Sequence, residues 1–381
     1  MNECKNWLIV TESSELLQYV KKNYALMRIF KVRRQDLEIF APKAVIFAGD
    51  WSLVKLHNIF FRSPRYKQIK TFHGIIDKKK IYNKANFKDS SSFLFKLFFL
   101  LLKLKLEKFS PLSDNPFKFI DKMKIDRLVP NRYDLILLSG KRMGKNLLEK
   151  RLLTPTNFAK VGVPKTDILF DDSISSQEIL EDLGLDSNRK TILYAPTWST
   201  FPNLSLSSIP FFGVAICKAI KNKVNFIFKP HQNIQRLKEF PKQISEMRRI
   251  IKQNENMRFL DPSIDSVSLM RASDLLITDY SSVAMEFLLL NKPLMFIDHL
   301  GKKYSDPNLL DIQIREAGEI VDNIENLSTT ITNCLENPHK KEEIRKRFAR
   351  DLFYYSESKN KSAVRAAKAI ESFLELLKSN N

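Results

Sequence analysis

Apolar residues along the chain fall into short unbroken runs, separated by stretches long enough to be helices. This is the pattern of strands buried on both faces. A first series predicts strands at WLIV (7–10), AVIFAG (44–49), IKTFHG (69–74) and LILLS (135–139). A second predicts strands at TILYAPT (191–197), NFIFKPH (225–231), MRFL (257–260), LLITD (275–279) and PLMFID (293–298). Helical-length connections between consecutive runs imply parallel sheets covered on both sides, hence two doubly wound α/β units. Residues 340–378 read as a long helical pattern broken near YYSESKNKS, suited to a segment that returns to the first unit. The division falls in the acidic, polar stretch DDSISSQEILEDLGLDSNRK. It gives a first domain over 1–165, a linker over 166–188, a second domain over 189–340 and a helical segment over 341–381.

One stretch departs from this pattern. FLFKLFFLLLKLKLEKF (93–109) is the most apolar part of the chain, yet Lys96, Lys103 and Lys105 interrupt it. It is too short and too charged to cross ~30 Å of hydrocarbon, which takes about 20 apolar residues. Lys96, Lys103 and Glu107 fall near one line of a helix and leave Phe and Leu over most of the circumference. That is the arrangement of a helix lying in the headgroup zone of a membrane. A buried core helix is the alternative reading.

Composition bounds the picture. A chain of 381 residues, 44% hydrophobic and 28% charged, is globular and has enough apolar material for two cores. The net charge of +20 is unevenly placed: residues 1–165 carry 34 Lys+Arg against 14 Asp+Glu, and residues 166–381 carry 29 against 29. A compositional bias toward lysine would spread over the whole chain, so the split points to an anionic partner of the first half. Lys78, Lys79, Lys80, Lys84, Lys88 and Lys108 flank the apolar segment. A lysine near an anionic leaflet is worth ~1 kcal/mol, which favours a membrane surface as that partner. Strands carrying basic and aromatic platforms are not apparent, and no nucleic-acid partner is expected. Cys4, Cys217 and Cys334 are far apart and in no ligand spacing, as free thiols of a reducing compartment are. MNECKNWLIVTESSELL has too short an apolar run for a signal-peptide core, so the chain is expected to stay in the cytoplasm.

Doubly wound sheets bind ligands beyond the carboxyl ends of their strands. Those ends carry polar groups suited to phosphate: Thr197 and Ser199 in YAPTWS, Lys229 and His231 in FKPHQN, and Thr278, Asp279, Ser281 and Ser282 in ITDYSS. His73 in FHG ends a strand of the first series. Ser281 or Ser282 is a natural N-cap for a helix beginning near Val283, whose free N–H groups attract an anion without a glycine-rich loop. His57, His299 and His339 have no such context and read as structural or surface residues. No histidine pair has metal-ligand spacing.

Several of these stretches occur in a recognisable order: HG at 73–74 followed by lysines, GVPKTDIL (162–169), ILYAPTWS (192–199), FKPH (228–231) and DLLITDYSSVAMEFLLLNKPLMFID (274–298). Together they resemble the CDP-glycerol glycerophosphotransferase family, the primases and polymerases of teichoic acids and related capsule polymers. The resemblance implies a GT-B architecture, with two Rossmann-like domains facing a cleft and the C-terminal helix returning to the first. It also implies transfer of glycerol phosphate from CDP-glycerol to an acceptor hydroxyl, with release of CMP. The nucleotide would belong to the second domain. The lipid-linked, polyanionic or glycan acceptor would belong to the basic first domain, with the protein peripheral on the cytoplasmic face of the cell membrane.

By the same resemblance His73 is the base for the acceptor hydroxyl, and Gly74 allows close backbone approach. His231 contacts the transferred phosphate or assists the departing CMP, with Lys229 nearby. Thr197, Thr278, Ser281 and Ser282 hold the donor pyrophosphate, and Asp279 supports the turn. No cofactor or protein-bound metal is expected, and a Mg²⁺ carried on the donor pyrophosphate stays open. The chain departs from the family at GIIDKKK, where GTPLKK is usual, and at Gln232, where proline is usual. The first change lies on the acceptor side, so a capsule or other surface glycan is as consistent as a wall teichoic acid. A nucleotide-sugar glycosyltransferase or a UDP-sugar 2-epimerase of the same fold is the alternative activity.

Overall fold

A computed structural model describes residues 8–11, 28–31, 44–47, 67–71, 134–149, 158–198, 200–201, 204–220, 224–231, 241–355 and 361–379. His73, Gly74, Ser199 and the apolar segment 93–109 lie outside the described residues. The chain divides into two compact units. One comprises Met1–Thr71, Ala85–Ile136 and Leu374–Asn381, and the other Phe72–Lys84 and Leu137–Phe373.

In the first unit β1 (Leu8–Thr11) pairs in parallel with β2 (Arg28–Lys31). There β3 (Ala44–Phe47) pairs in parallel with β4 (Lys67–Lys70), which pairs in parallel with the start of β5 (Leu135–Leu138). The next strand along the chain, β6 (Phe158–Lys160), belongs to the second unit.

The second unit is built on a six-stranded parallel sheet. Its strands are β7 (Thr191–Tyr194), β10 (Asn225–Phe228), β11 (Met257–Phe259), β12 (Leu275–Thr278), β13 (Leu294–Ile297) and β14 (Glu319–Val321). A short antiparallel hairpin, β8 (Thr200–Phe201) with β9 (Leu204–Ser205), follows β7. Among the described residues the α-helices in chain order are α1 (Lys141–Glu149), α2 (Ser176–Asp182), α3 (Val214–Ala219), α4 (Pro241–Lys252) and α5 (Ser266–Arg271). They continue as α6 (Val283–Phe287), α7 (Leu310–Gln313), α8 (Leu327–Glu336), α9 (Glu342–Leu352) and α10 (Ser362–Ser379).

Alternation of side chains along each strand builds two cores, one on each face of this sheet. Leu193, Ile227, Leu276, Leu294 and Phe296 face α5, α6 and α9 through Met270, Phe287 and Leu352. Ile192, Tyr194, Phe226, Ile277 and Ile297 face the other way, against Ile216, Ile250 and Ile331 of α3, α4 and α8. Because both faces are covered, β7, β10, β12 and β13 are buried at every position. This is why they appear in the sequence as unbroken apolar runs.

The sheet order is β11-β10-β7-β12-β13-β14. Leaving aside the hairpin, the strands run 3-2-1-4-5-6 in order of appearance, the Rossmann order, and the winding reverses between β7 and β12. That crevice is where such a sheet receives a ligand.

The stretch between the two strand series is itself folded. Ser175 Oγ accepts from the amides of Gln177 and Glu178 at the start of α2, and Leu180 and Leu185 are buried. Arg271 holds this stretch to α5 by donating to the carbonyl of Leu169 at 2.9 Å. The predicted helical pattern at the C-terminus appears as α9 and α10, separated as expected near residue 355. Both are fastened to the segment after β5. The Tyr354 amide donates to Ser139 O at 2.8 Å, and the Asp167 carboxylate accepts from Ser362 N and Ala363 N, both at 2.8 Å, at the head of α10.

The fit at Gly140 is tight. A Cβ there would lie 2.1 Å from the carbonyl carbon and oxygen of Leu352 and 2.6 Å from Phe353 N, all backbone atoms. Gly140→Ala is therefore expected to cost about 3 kcal/mol in urea unfolding, the upper end of overpacking penalties. Gly144→Ala meets only the flexible tip of Leu138, at 3.1 Å, and should change stability by less than about 1 kcal/mol. Equal costs at the two positions would show that the α9 junction gives way.

Candidate active site

One carboxylate joins the chain ends at the reversal. Asp279 follows β12 and is 1% exposed. It accepts from the amide of Thr197, just past β7, at 2.8 Å. Its other oxygen accepts from the amide and the hydroxyl of Ser208, at 2.7 and 2.8 Å. With the Ser208 proton committed, the hydroxyl of Tyr194 donates to Ser208 Oγ at 2.8 Å. Thr278 Oγ1 donates to Ala195 O at 2.7 Å, and Ala195 N donates to Ile277 O at 3.0 Å. The ends of β7 and β12 and the chain beyond the hairpin are thus joined through backbone atoms. Burial pushes Asp279 up to about 6, against the hydrogen bonds from Thr197 and Ser208, which favour the ionised form.

Beyond Asp279 the chain turns into α6. Ser281 and Ser282 are partly exposed at this turn. Ser282 occupies the N-cap position without a side-chain cap bond, and Val283 N lies 3.5 Å from Ser281 Oγ. α6 is only five residues long and passes directly into a tighter turn at Leu288–Leu290.

The end of β10 approaches from the other side of β7. Lys229 is 6% exposed, and its ammonium donates to the carbonyls of Pro230 at 2.8 Å and Pro262 at 3.0 Å. Burial lowers its pKa, opposed by Asp265 and Asp261. His231 is half-buried, and its ring stacks on Trp198, with centroids 5.5 Å apart and planes 29° from parallel.

Thr197, Thr278 and Asp279 are therefore brought together at one point. His231 faces the residue after Thr197, and Ser281 and Ser282 begin the adjacent turn. The side chains differ in direction: those of Thr278 and Lys229 are turned onto backbone carbonyls, whereas the two serines reach the surface of the turn. Ser208, which completes the carboxylate's coordination from 71 residues away, has no mark in the sequence. The same holds for Tyr280, Asp298 and Arg315, which pack beside the turn. Tyr280 donates its hydroxyl to Asp298 Oδ1 at 2.6 Å, and the Arg315 guanidinium carbon lies 4.3 Å from the centre of the Tyr280 ring. His299 packs edge-on against the same ring, and its Nε2 donates to Ser205 O at 3.0 Å. None of these contacts has a local sequence signature.

A sequence model of the family described as CDP-glycerol:poly(glycerophosphate) glycerophosphotransferase matches residues 111–371. The chain belongs to this family. Among curated proteins, this glycerophosphotransferase-family chain is similar to the teichoic acid glycerol-phosphate primase of Bacillus subtilis (strain 168). The two are 30% identical over 177 residues, 46% of this chain and 42% of that protein. The teichoic acid ribitol-phosphate polymerase TarL of Staphylococcus aureus is 29% identical over 149 residues, 37% of this chain and 24% of that protein. The match thus spans less than half the length of each relative.

Among solved structures, the wall teichoic acid polymerase TagF superposes with a TM-score of 0.62 at 16% identity, covering 98% of this chain and 90% of that one. A Listeria monocytogenes protein assigned by others to the UDP-N-acetylglucosamine 2-epimerases gives 0.57 at 16% identity, covering 97% and 88%. The likeness is one of fold, and the fold is α/β of the GT-B type, as the sequence resemblance implied. Among the described residues no helix is long and apolar enough to cross a membrane.

Asp279 yields a prediction with a definite sign. Its pKa in the fold, about 6 against an ordinary 3.8, means that the native state takes up this proton before the unfolded chain does. Its linkage therefore favours the fold as pH falls from about 6 towards 4. Wild type should gain about 1 kcal/mol relative to Asp279→Asn between pH 7.5 and pH 5, measured as the difference in urea unfolding free energy. A difference that is the same at both pH values would mean the carboxyl titrates where an exposed one does.

Proposed function

We propose that this protein transfers glycerol phosphate from CDP-glycerol to a hydroxyl of a lipid-linked surface polymer or glycan of the teichoic acid or capsule type, releasing CMP. One observation carries the reading. The residues at the winding reversal of the second sheet are the stretches that bear the family resemblance, and they lie inside the family match over 111–371. The names of the relatives, a glycerol-phosphate primase and a ribitol-phosphate polymerase, support the substrate class. So does a TagF variant structure obtained after soaking with CDPG.

In the proposed reaction the acceptor oxygen attacks the phosphorus that bears glycerol. A new P–O bond forms, and the bond from that phosphorus to the bridging oxygen breaks. Its electron pair leaves with CMP, and the acceptor proton passes to a base. His73 is assigned as that base. His231, presented against Trp198, is assigned to the transferred phosphate or the departing CMP. Ser281 and Ser282, at the turn into α6, are assigned to the donor phosphates. Thr197, Thr278, Asp279 and Lys229 keep the strand ends in place for them, by the inward bonds described above. Gly74 leaves room for backbone approach. A Mg²⁺ arriving with the donor pyrophosphate would share its charge.

The basic residues 1–165 take the polyanionic or glycan acceptor in this reading, and residues 189–340 take the nucleotide. The protein sits peripherally on the cytoplasmic face of the membrane, with 93–109 in the interface.

Release of CMP from CDP-glycerol with a lipid-linked acceptor is the direct test. His73→Ala and His231→Ala should each lower turnover by about 10² to 10⁴-fold with the fold intact by circular dichroism. Wild-type turnover in either variant would remove that residue from the chemistry. Turnover of UDP-sugars in place of CDP-glycerol would favour the glycosyltransferase or epimerase reading.

Membrane attachment has its own test. Burial of several Phe and Leu side chains, at ~1.5 to 3 kcal/mol each when complete, should outlast the screening of charge. Wild type should float with anionic vesicles at both low and high salt, and the Phe98→Glu, Leu101→Glu variant should not float at high salt. Equal flotation of the two would assign 93–109 to the core.

A further inference from the structure

Two residues with buried polar atoms that lack a hydrogen-bond partner, His299 and Arg315, pack against the Tyr280 ring. Among the described residues such side-chain atoms are Ser207 Oγ, Asn225 Oδ1, His299 Nδ1 and Arg315 Nε and Nη1. All but Asn225 belong to residues that touch Tyr280 or adjoin Ser208, the partner of Asp279. Arg315 is the costliest of them, since it places a cation at 4% exposure. Among the described residues its one hydrogen bond is a long one, from Nη2 to Ile297 O at 3.4 Å. Its approach to Asp298 Oδ2, at 3.7 Å, is an ion pair without hydrogen-bond geometry.

What the guanidinium does meet is aromatic. Its central carbon lies 4.3 Å from the centre of the Tyr280 ring and 5.6 Å from that of Phe296. A guanidinium plane against a π face is attracted by the ring quadrupole, most strongly where water is excluded. Tyr280 is thereby gripped twice, on its face by Arg315 and at its hydroxyl by Asp298, whose same oxygen accepts from Gly301 N at 3.0 Å. Tyr280 stands in the chain between Asp279, which joins the strand ends, and Ser281 and Ser282, which are partly exposed at the turn. Fixing the ring fixes the direction in which the two serines leave the strand.

We propose that Arg315 is a positioning residue for the Asp279–Ser282 turn, acting through the face of Tyr280, and that it sets the affinity of this turn for the donor's phosphates. The inference rests on the reading of the turn as the donor-phosphate site. The cation is too buried to be reached by a ligand in this arrangement, so its influence runs through the ring.

The test is a double-substitution cycle read by calorimetric binding of CMP and CDP-glycerol, together with KM and kcat for CMP release. Arg315→Met, which keeps the aliphatic stem, should weaken binding and raise KM about tenfold while changing kcat less than about threefold. In a Tyr280→Leu background the same substitution should change binding less than twofold, because the ring that carries the effect is gone. Arg315→Lys should recover little, since it restores charge without the plane. Full recovery by lysine would make the effect one of charge alone and overturn the route through Tyr280.

Should Arg315→Met fail to fold by circular dichroism, the tyrosine variants decide. Tyr280→Leu should lose at least five times more affinity than Tyr280→Phe, and equal losses would overturn the inference. Wild type that binds neither nucleotide overturns the donor-site reading and this inference with it. Wild type that binds both, with Arg315→Met unchanged, overturns this inference alone.

Discussion

The second unit depends on a charge placed where water does not reach. Asp279 sits at the point where the winding of the sheet reverses, and its two oxygens accept from Thr197 and Ser208. Without those donors the burial that raises its pKa would leave the strand ends of β7 and β12 with an uncompensated acid between them. With them, the carboxylate sets the distance between the two strand ends and the direction of the chain that leaves each. The main functional assignments made for this unit, from His231 beside Trp198 to the serines before α6, are displacements measured from that point.

Rossmann-type sheets commonly present phosphate-binding amides from a glycine-rich turn, because glycine lets the backbone come close. The turn proposed here for phosphate follows the fourth strand of the sheet, β12, instead of the first, and reads Asp-Tyr-Ser-Ser. Tyr280 is drawn down beside the sheet, 1% exposed, and the serines that follow it are left at the surface with short side chains. The ring beneath the turn is met by residues far along the chain, by Asp298 at its hydroxyl and by Arg315 on its face.

The sequence was most legible where burial is complete. β7, β10, β12 and β13 are covered on both faces and were visible as apolar runs to within a few residues. β14 was not, because it is three residues long at the edge of the sheet and leaves Ile320 51% exposed, so that neither length nor composition marks it. β2 and β6 read RIFK and FAK, each with basic residues that conceal a strand among polar neighbours. At the candidate site the sequence located positions and not directions. Thr278 and Lys229 lie at strand ends as read, but only the fold decides that their side chains satisfy carbonyls of neighbouring strands and turns. Ser208 and Arg315 carry no local mark at all, since what gives them meaning is a neighbour brought by the sheet order.

Because Thr197 and Ser208 are both held by Asp279, the ten residues between them form a loop closed at its root by hydrogen bonds. Lengthening such a loop costs little, since closure entropy grows only with the logarithm of its length. Its two ends cannot move apart while the carboxylate holds them. The spacing of the strand ends is thereby set at Asp279 and not by the length of the chain that passes above it.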